Sequence, residues 1–106
     1  MFNQKHIHNI HLIGIGGISM SAIAEILIDK GFSVSGSDIN LTGITSKLIN
    51  RGARIYQGHS ADNINNPDLV IYSAAVNSEN PEMKYSIEHN IPLISRAEAL
   101  GQLMKD

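Results

Sequence analysis

The feature of the sequence that most constrains the fold is a glycine-rich turn between a short apolar run and a helical one. The apolar run at residues 9–13 favours a β-strand and leads directly into the turn Gly14–Gly17. Residues 18–30 follow with apolar side chains at helical spacing, and Gly31 supplies a helix stop signal. A strand, a glycine turn and a helix in this order predict the opening of a βαβ unit.

The same alternation of strand and helix continues to the end of the chain. It predicts further strands at 32–37, 54–57, 69–72 and 92–95, with helices at 42–51, from Pro81 onward and at 96–104; Asn80 is the predicted N-cap of the middle one. Segment 59–66 has no clear periodicity. Right-handed crossovers then give an α/β, Rossmann-like three-layer fold with a five-stranded parallel sheet of order 3-2-1-4-5. The change of direction after strand three predicts a crevice between strands one and four.

Length and composition are those of one soluble domain spanning residues 1–106. The sequence is 42% hydrophobic and 17% charged, with a net charge of −2, so it carries no electrostatic footprint for nucleic acid or a membrane surface. It has no cysteine, which excludes disulfides, thiolate zinc sites and thiol nucleophiles. The sequence predicts neither a signal peptide nor an apolar run of about 20 residues that could span a membrane, and a cytoplasmic location is expected.

The glycine turn has the features of a phosphate-binding loop. Gly14 permits a tight turn, and Gly16 lets a phosphate approach the backbone. Ser19 occupies the position of the third glycine, where its hydroxyl can add a phosphate contact. The N–H groups of the following helix turn face the bound anion. The alternative is a glycine-rich loop that serves only close packing.

Asp38 closes the second strand at about the spacing at which an acid binds ribose hydroxyls in dinucleotide folds. The alternative is a helix cap or turn carboxylate. The sequence contains no G-x-x-x-x-G-K-[ST] loop, nucleophile elbow or H-E-x-x-H motif. His6 and His8 would share one face of a strand while His11 points to the other, so no metal site is predicted.

Several short motifs follow one another along the chain. They are His11–Ser21 with Ala24-Glu25, Gly36–Asp38, Gly58-His59, Ser73–Val76, Asn80–Glu82 and Ser95–Leu100. In this order they resemble the motifs of the UDP-N-acetylmuramate–L-alanine ligases of the Mur ligase family. The resemblance covers the chain after about residue 8, with Ser19 standing where that family typically has glycine. A sister ligase that recycles a murein tripeptide is similar but differs in its glycine loop, and ranks second.

The resemblance implies a ligase of three domains, of which this chain matches the first. That domain binds the UDP part of the substrate, and the chain ends about where a linker to the next domain is expected. The missing ATPase and C-terminal domains hold ATP and Mg²⁺ and help bind L-alanine, whose amine attacks an acyl phosphate of the muramyl carboxylate. No catalytic residue, metal or cofactor is expected in this chain, and alone it is expected to be inactive.

The resemblance also assigns substrate-binding residues. The diphosphate would be held at Gly14, Gly16, Gly17, Ile18 and Ser19, and the uridine would face Ser37 and Asp38. The same crevice would be lined by His59, Ser73, Ala74, Asn80 and Arg96. A turn-forming surface histidine remains an alternative for His59, and a solvated first-turn residue for Arg96.

Two other functions use the same features. A non-catalytic regulatory module that binds NAD or another adenine nucleotide would also need the glycine turn and Asp38, but it leaves the later motifs unexplained. A purely structural partner domain leaves Gly16, Gly17 and Asp38 without a purpose. UDP-N-acetylmuramate or UDP is therefore the expected ligand.

Overall fold

The structure is a computed structural model that describes residues 1–105. Within them lie five strands, a 3-10 turn at Ala61–Asn63 and four α-helices. The strands are β1 (Asn9–Ile13), β2 (Ser33–Asp38), β3 (Arg54–Gln57), β4 (Leu69–Tyr72) and β5 (Leu93–Ser95). The helices are α1 (Ile18–Asp29), α2 (Gly43–Asn50), α3 (Pro81–Glu88) and α4 (Arg96–Lys105).

The five strands form one parallel sheet in the order β3-β2-β1-β4-β5, which confirms the predicted fold. At its carboxyl edge Ile13 pairs with Ser37 on one side and with Tyr72 on the other. Strands β2 and β4 lie on opposite sides of β1, so the connections that leave the carboxyl edge run away from each other. A crevice opens between these connections.

Local sequence signals set the starts of two helices. Thr42 forms a capping box with Thr45, in which its hydroxyl accepts from the Ile44 N–H at 3.2 Å. Asn80 caps α3 by accepting from the N–H groups of Glu82 and Met83, with Pro81 in the first turn, as predicted.

The sheet has a different kind of core on each face. Alternate residues of β1, such as Leu12, pack with α1, α2 and α4 in a large apolar cluster. On the opposite face, Ile13 packs with Val70 and Met83 of α3 in a small cluster. His11 lies on this second face and is 1% exposed, so buried polar side chains form part of the core on this face.

Helix α4 corrects one expectation from the sequence. A methionine such as Met104 is expected to fill the core, but Met104 is 80% exposed, and Leu100 in the same helix is 38% exposed. Ala99 supplies the buried contact, with Leu103 partly buried against the core. The helix follows the outermost strand and touches α1 and the sheet along a narrow stripe, so little of its surface is covered. None of the helices in the described part of the chain is long and apolar enough to cross a membrane.

Candidate functional site

A cavity lies at the carboxyl edge of the sheet, where the predicted crevice falls. Its volume is about 640 Å³, within the range of small-molecule sites. The turn after β1 and the loop after β4 form its walls, with residues from the ends of β2, β3 and β5. The loops that extend from five neighbouring strands therefore converge on one space.

The turn after β1 requires glycine at its first position. Gly14 has φ +85°, in the left-handed region, and a Cβ there would lie 2.8 Å from the hydroxyl oxygen of Ser73. The N–H groups of Gly14 and Ile15 both donate to the carbonyl oxygen of Ser37, at 2.8 and 3.0 Å. The turn is thus anchored to β2 and packed against the loop after β4.

Helix α1 points its N-terminus into the crevice without a side-chain cap. Gly17 occupies the N-cap, and a glycine has no side chain that could accept hydrogen bonds from the N–H groups of the first turn. The first turn also carries no acidic residue. Helices α2 and α3 are capped by Thr42 and Asn80, so α1 differs from them in leaving its first-turn donors for an anion.

A cation lies beside this helix start. The guanidinium of Arg96 donates to the hydroxyl oxygen of Ser19 at 3.1 Å. Both residues line the crevice. The first residue of α4 therefore adds a positive charge to the positive end of the α1 dipole, an arrangement that suits a phosphate group.

Gly16 makes room for Asp38. The N–H of Gly16 donates to Asp38 Oδ2 at 2.9 Å, and the N–H of Asn40 donates to Oδ1 at 3.2 Å. A Cβ on Gly16 would lie 2.9 Å from that same Oδ2. The close approach at Gly16 is thus made by a carboxylate of the chain itself, and Asp38 is held at the rim of the crevice.

Behind the crevice lies a buried polar network centred on Glu82, which is 0% exposed. Its Oε1 accepts from His11 Nε2 at 2.6 Å and from the Ser37 hydroxyl at 2.8 Å. Its Oε2 accepts from the Ser60 N–H at 3.1 Å and from the Asn63 amide at 2.9 Å. One side chain of α3 thus joins β1, β2 and the loop after β3.

Glu82 is an ionised carboxylate in this setting. Burial by itself raises the pKa of Glu82, but the hydrogen bonds from His11, Asn63 and Ser37 and the charge on His11 lower it more. The net effect is a pKa below the ordinary value of 4.5. An ionised carboxylate only accepts hydrogen bonds, so all four of its neighbours must donate.

His59 connects the network to the crevice. Its Nδ1 lies 2.8 Å from the Ser37 hydroxyl oxygen and 3.5 Å from Glu82 Oε2. Its side chain is 15% exposed and lines the crevice. His59 is therefore more than a surface turn residue, since its orientation is set from behind by buried partners.

The structure brings ten of the twelve predicted site residues to the crevice. Gly16 and Ser37 lie behind it, where Gly16 contacts Asp38 and the 0% exposed Ser37 contacts Glu82 and His59. The ten lining residues are Gly14, Gly17, Ile18, Ser19, Asp38, His59, Ser73, Ala74, Asn80 and Arg96.

The sequence reasoning missed the roles of Glu82 and His11. Glu82 follows the N-cap Asn80 by two residues, and a carboxylate at that position has the sequence signal of an ordinary first-turn residue. Only its complete burial distinguishes it. The signal for His11 is a polar residue inside an otherwise apolar strand.

Within residues 1–105 no three His, Cys, Asp or Glu side chains group to hold a metal ion.

Comparison with known proteins gives consistent matches. The family described as "Mur ligase family, catalytic domain" matches residues 9–106. The chain is 55% identical over 103 residues to the UDP-N-acetylmuramate--L-alanine ligase of Alkaliphilus metalliredigens, covering 97% of this chain and 22% of that protein. The chain thus spans about a fifth of the length of the curated relatives it matches.

Two solved structures share the fold. The UDP-N-acetylmuramate-alanine ligase of Thermotoga maritima has a TM-score of 0.89 and 40% identity, covering 92% of this chain and 23% of that one. A murein peptide ligase of Psychrobacter arcticus has a TM-score of 0.85 and 26% identity, covering 90% of this chain and 20% of that one.

Proposed function

The chain belongs to the Mur ligase family, and on that premise we propose that its crevice binds the UDP part of UDP-N-acetylmuramate. Residues 1–106 would form the UDP-substrate-binding domain of a ligase that adds L-alanine with the use of ATP. The observation that carries the proposal is the uncapped start of α1 beside Arg96, at the point where the sheet changes direction. These features suit a diphosphate group, and the ligases that match this chain are named for a UDP-linked substrate.

The diphosphate would lie against the first turn of α1. The N–H groups after Gly17 supply backbone donors, and the Arg96 guanidinium beside the start of α1 supplies a charge-assisted donor. Ser73 and Ala74 close the β4 side of the same space. A dinucleotide has a diphosphate too, so this end of the crevice does not select between nucleotides.

The nucleoside end would provide the selection. Asp38 lies at the end of β2 and His59 just beyond β3, and these two strands lie on the other side of β1 from β4 and β5. A uracil offers an imide N–H and two carbonyl oxygens, a set that adenine does not match. A buried polar group left unpaired costs about 1–3 kcal/mol, roughly one to two decades in affinity.

The chemistry of the ligase would reside in the rest of the protein. The sequence has no Walker-type loop for ATP, so ATP and Mg²⁺ would be held by the other domains. Incubated with UDP-N-acetylmuramate, ATP, Mg²⁺ and L-alanine, this chain is expected to release no phosphate above background. Release that requires both this chain and the substrate would contradict that expectation.

Calorimetric titration with UDP-N-acetylmuramate, UDP and NAD tests the ligand. The two uridine nucleotides are expected to bind about ten- to hundredfold more tightly than NAD. If NAD bound more tightly than either, a regulatory module for adenine nucleotides would replace the proposal.

Gly17→Val tests the position of the diphosphate. A Cβ on Gly17 meets only the carbonyl oxygen of Gly14, at 3.7 Å, so the fold should accept a side chain that fills the space over the start of α1. Binding of UDP is expected to fall more than tenfold. Gly43→Val is the matched control, because it adds the same side chain at the start of α2, where a Cβ meets nothing within 4 Å. Equal affinities in the two variants would place the anion elsewhere.

A further inference from the structure

Every hydrogen-bond acceptor position of Glu82 is filled. A carboxylate has two oxygens with about two acceptor positions each. Oε1 accepts from His11 and Ser37, and Oε2 accepts from Ser60 and Asn63. Across residues 1–105 no buried polar side-chain atom lacks a partner. The direction of each hydrogen bond around Glu82 is therefore fixed.

The fixed directions determine which ring nitrogen of His59 carries a proton. The Ser37 hydroxyl has one hydrogen, and it donates that hydrogen to Glu82. In its 2.8 Å contact with His59 Nδ1 the Ser37 oxygen can only accept. Nδ1 of His59 must therefore carry a hydrogen, and a neutral imidazole then has a free lone pair on Nε2.

The second ring nitrogen of His59 is open to solvent. In the described part of the chain Nε2 has no hydrogen-bond partner, and because no buried side-chain nitrogen is without one, it is open to solvent. The side chain lines the crevice beside Asp38. Glu82 of α3 lies behind His59, with His11 of β1 bonded to it. The other charged side chains that line the crevice with His59 are Asp38, Glu79 and Arg96.

We propose that Glu82 is a positioning residue that acts through Ser37 to hold His59 as its Nδ1–H tautomer, with Nε2 facing the nucleoside as a hydrogen-bond acceptor. The proposal rests on the proposed function, because it places a nucleotide in the crevice. An acceptor nitrogen there recognises a ligand N–H or O–H, which in a uridine nucleotide is the imide N–H or a ribose hydroxyl. It does not favour contact with a phosphate oxygen.

The first test measures the tautomer in the free chain. Long-range ¹H–¹⁵N NMR of the histidine rings at a pH where His59 is neutral distinguishes a protonated from an unprotonated ring nitrogen. We expect Nδ1 of His59 to be protonated and Nε2 unprotonated in the wild type, and the preference to be lost in Ser37→Ala. A protonated Nε2 in the neutral wild-type ring would overturn the proposal.

The second test compares two serines on the same face of β2. Ser37→Ala breaks the link between Glu82 and His59, whereas Ser35→Ala removes only a hydrogen bond to His11 Nδ1. Affinity for UDP is expected to fall about tenfold in Ser37→Ala and to change by less than about twofold in Ser35→Ala. Equal affinities in the two variants would overturn the proposal. Glu82→Gln should also abolish the tautomer preference of His59. If Glu82→Gln does not fold, Ser37→Ala still tests the proposal.

The third test identifies which part of the ligand meets His59. NMR titration with uridine, which has no phosphate, should show the same fractional loss of affinity in Ser37→Ala as titration with UDP. A loss seen with UDP and absent with uridine would assign the contact to phosphate and overturn the acceptor role. If the wild type bound no uridine compound, the proposed function would fail, and the tautomer measurement would still decide the role of Glu82.

Discussion

The two faces of the sheet are held by different kinds of interaction. Among the described residues, the face under α1, α2 and α4 has a cluster of sixteen buried residues, whereas the face under α3 has a cluster of three. Over β1 and β2 the second face is completed by the network around Glu82. Successive residues of β1, His11 and Leu12, belong to the two different faces.

The difference has a functional consequence. Apolar burial stabilises a fold but has no direction, so it does not decide how a ring nitrogen or a hydroxyl is oriented. Hydrogen bonds to a buried carboxylate have direction, and a fully satisfied network holds its members in one arrangement. The network lies on the face that leads to His59 and the crevice. Stability should therefore depend on both faces, and ligand selection on the polar one.

The largest expected effect is that of Glu82→Ala. Removal of this carboxylate leaves four buried or half-buried donors without their acceptor, and breaking a buried charged pair costs about 3–5 kcal/mol. Urea denaturation should show this loss, and His59 should lose its tautomer preference. Glu88→Ala is the control on the same helix, since Glu88 is exposed. A loss of stability no larger than in the control would mean that the polar face contributes nothing to the fold.

Leu12→Ala tests the apolar face at the position next to His11. Leu12 is 0% exposed, and truncation of a buried leucine costs about 2–5 kcal/mol. UDP affinity of the folded fraction and the tautomer of His59 should not change. Ile87→Ala, at a position that is 56% exposed, is the control for loss of apolar side-chain volume. An altered tautomer in Leu12→Ala would show that the two faces are not separable.

Acid should weaken the polar face first. Because the pKa of folded Glu82 lies below its ordinary value of 4.5, its stabilisation is complete above that pH and is lost as pH falls through the lower, folded value. The free energy of unfolding should fall less steeply with acid in Glu82→Gln than in the wild type.

Asp68→Asn provides the comparison for the acid experiment. Backbone hydrogen bonds from Asn9 and His8 also lower the pKa of Asp68, but these bonds are exposed to solvent. The acid dependence should therefore flatten less in Asp68→Asn than in Glu82→Gln. A larger effect of Asp68→Asn would mean that acid sensitivity arises at the amino end of the sheet.

The smallest expected effect is that of Ser19→Gly. The hydroxyl of Ser19 accepts a hydrogen bond from the partly exposed Arg96. Loss of this hydrogen bond is expected to cost about 0.5 kcal/mol of binding free energy, the low end of the range for one hydrogen bond. Affinity for UDP should fall about two- to threefold, with no change in stability. In an Arg96→Ala background the same substitution should have no further effect. A separate loss there would mean that Ser19 contacts the ligand directly.

The sequence predicted most of the fold because its signals are local. Residues 9–13, 54–57 and 69–72 form strands with the predicted bounds, α3 begins at the predicted Pro81, and the bounds of the other predicted elements differ by one residue at one or both ends. Helix α4 is the exception in burial, since periodicity does not reveal that an element at the edge of a sheet is covered along a narrow stripe only.

By itself the sequence predicted the strand order and the place of the crevice, because glycine turns, helix caps and strand ends are signals carried by neighbouring residues. The resemblance of its motifs to a known family supplied the ten predicted residues that line the crevice. Only the tertiary structure decided that Gly16 accommodates Asp38, that Ser37 lies behind the crevice and that Glu82 joins His11 to it. Glu82 lies 71 residues along the chain from His11. Contacts of that separation depend on how the layers pack, and a charged residue buried by packing has the same sequence signal as one in solvent.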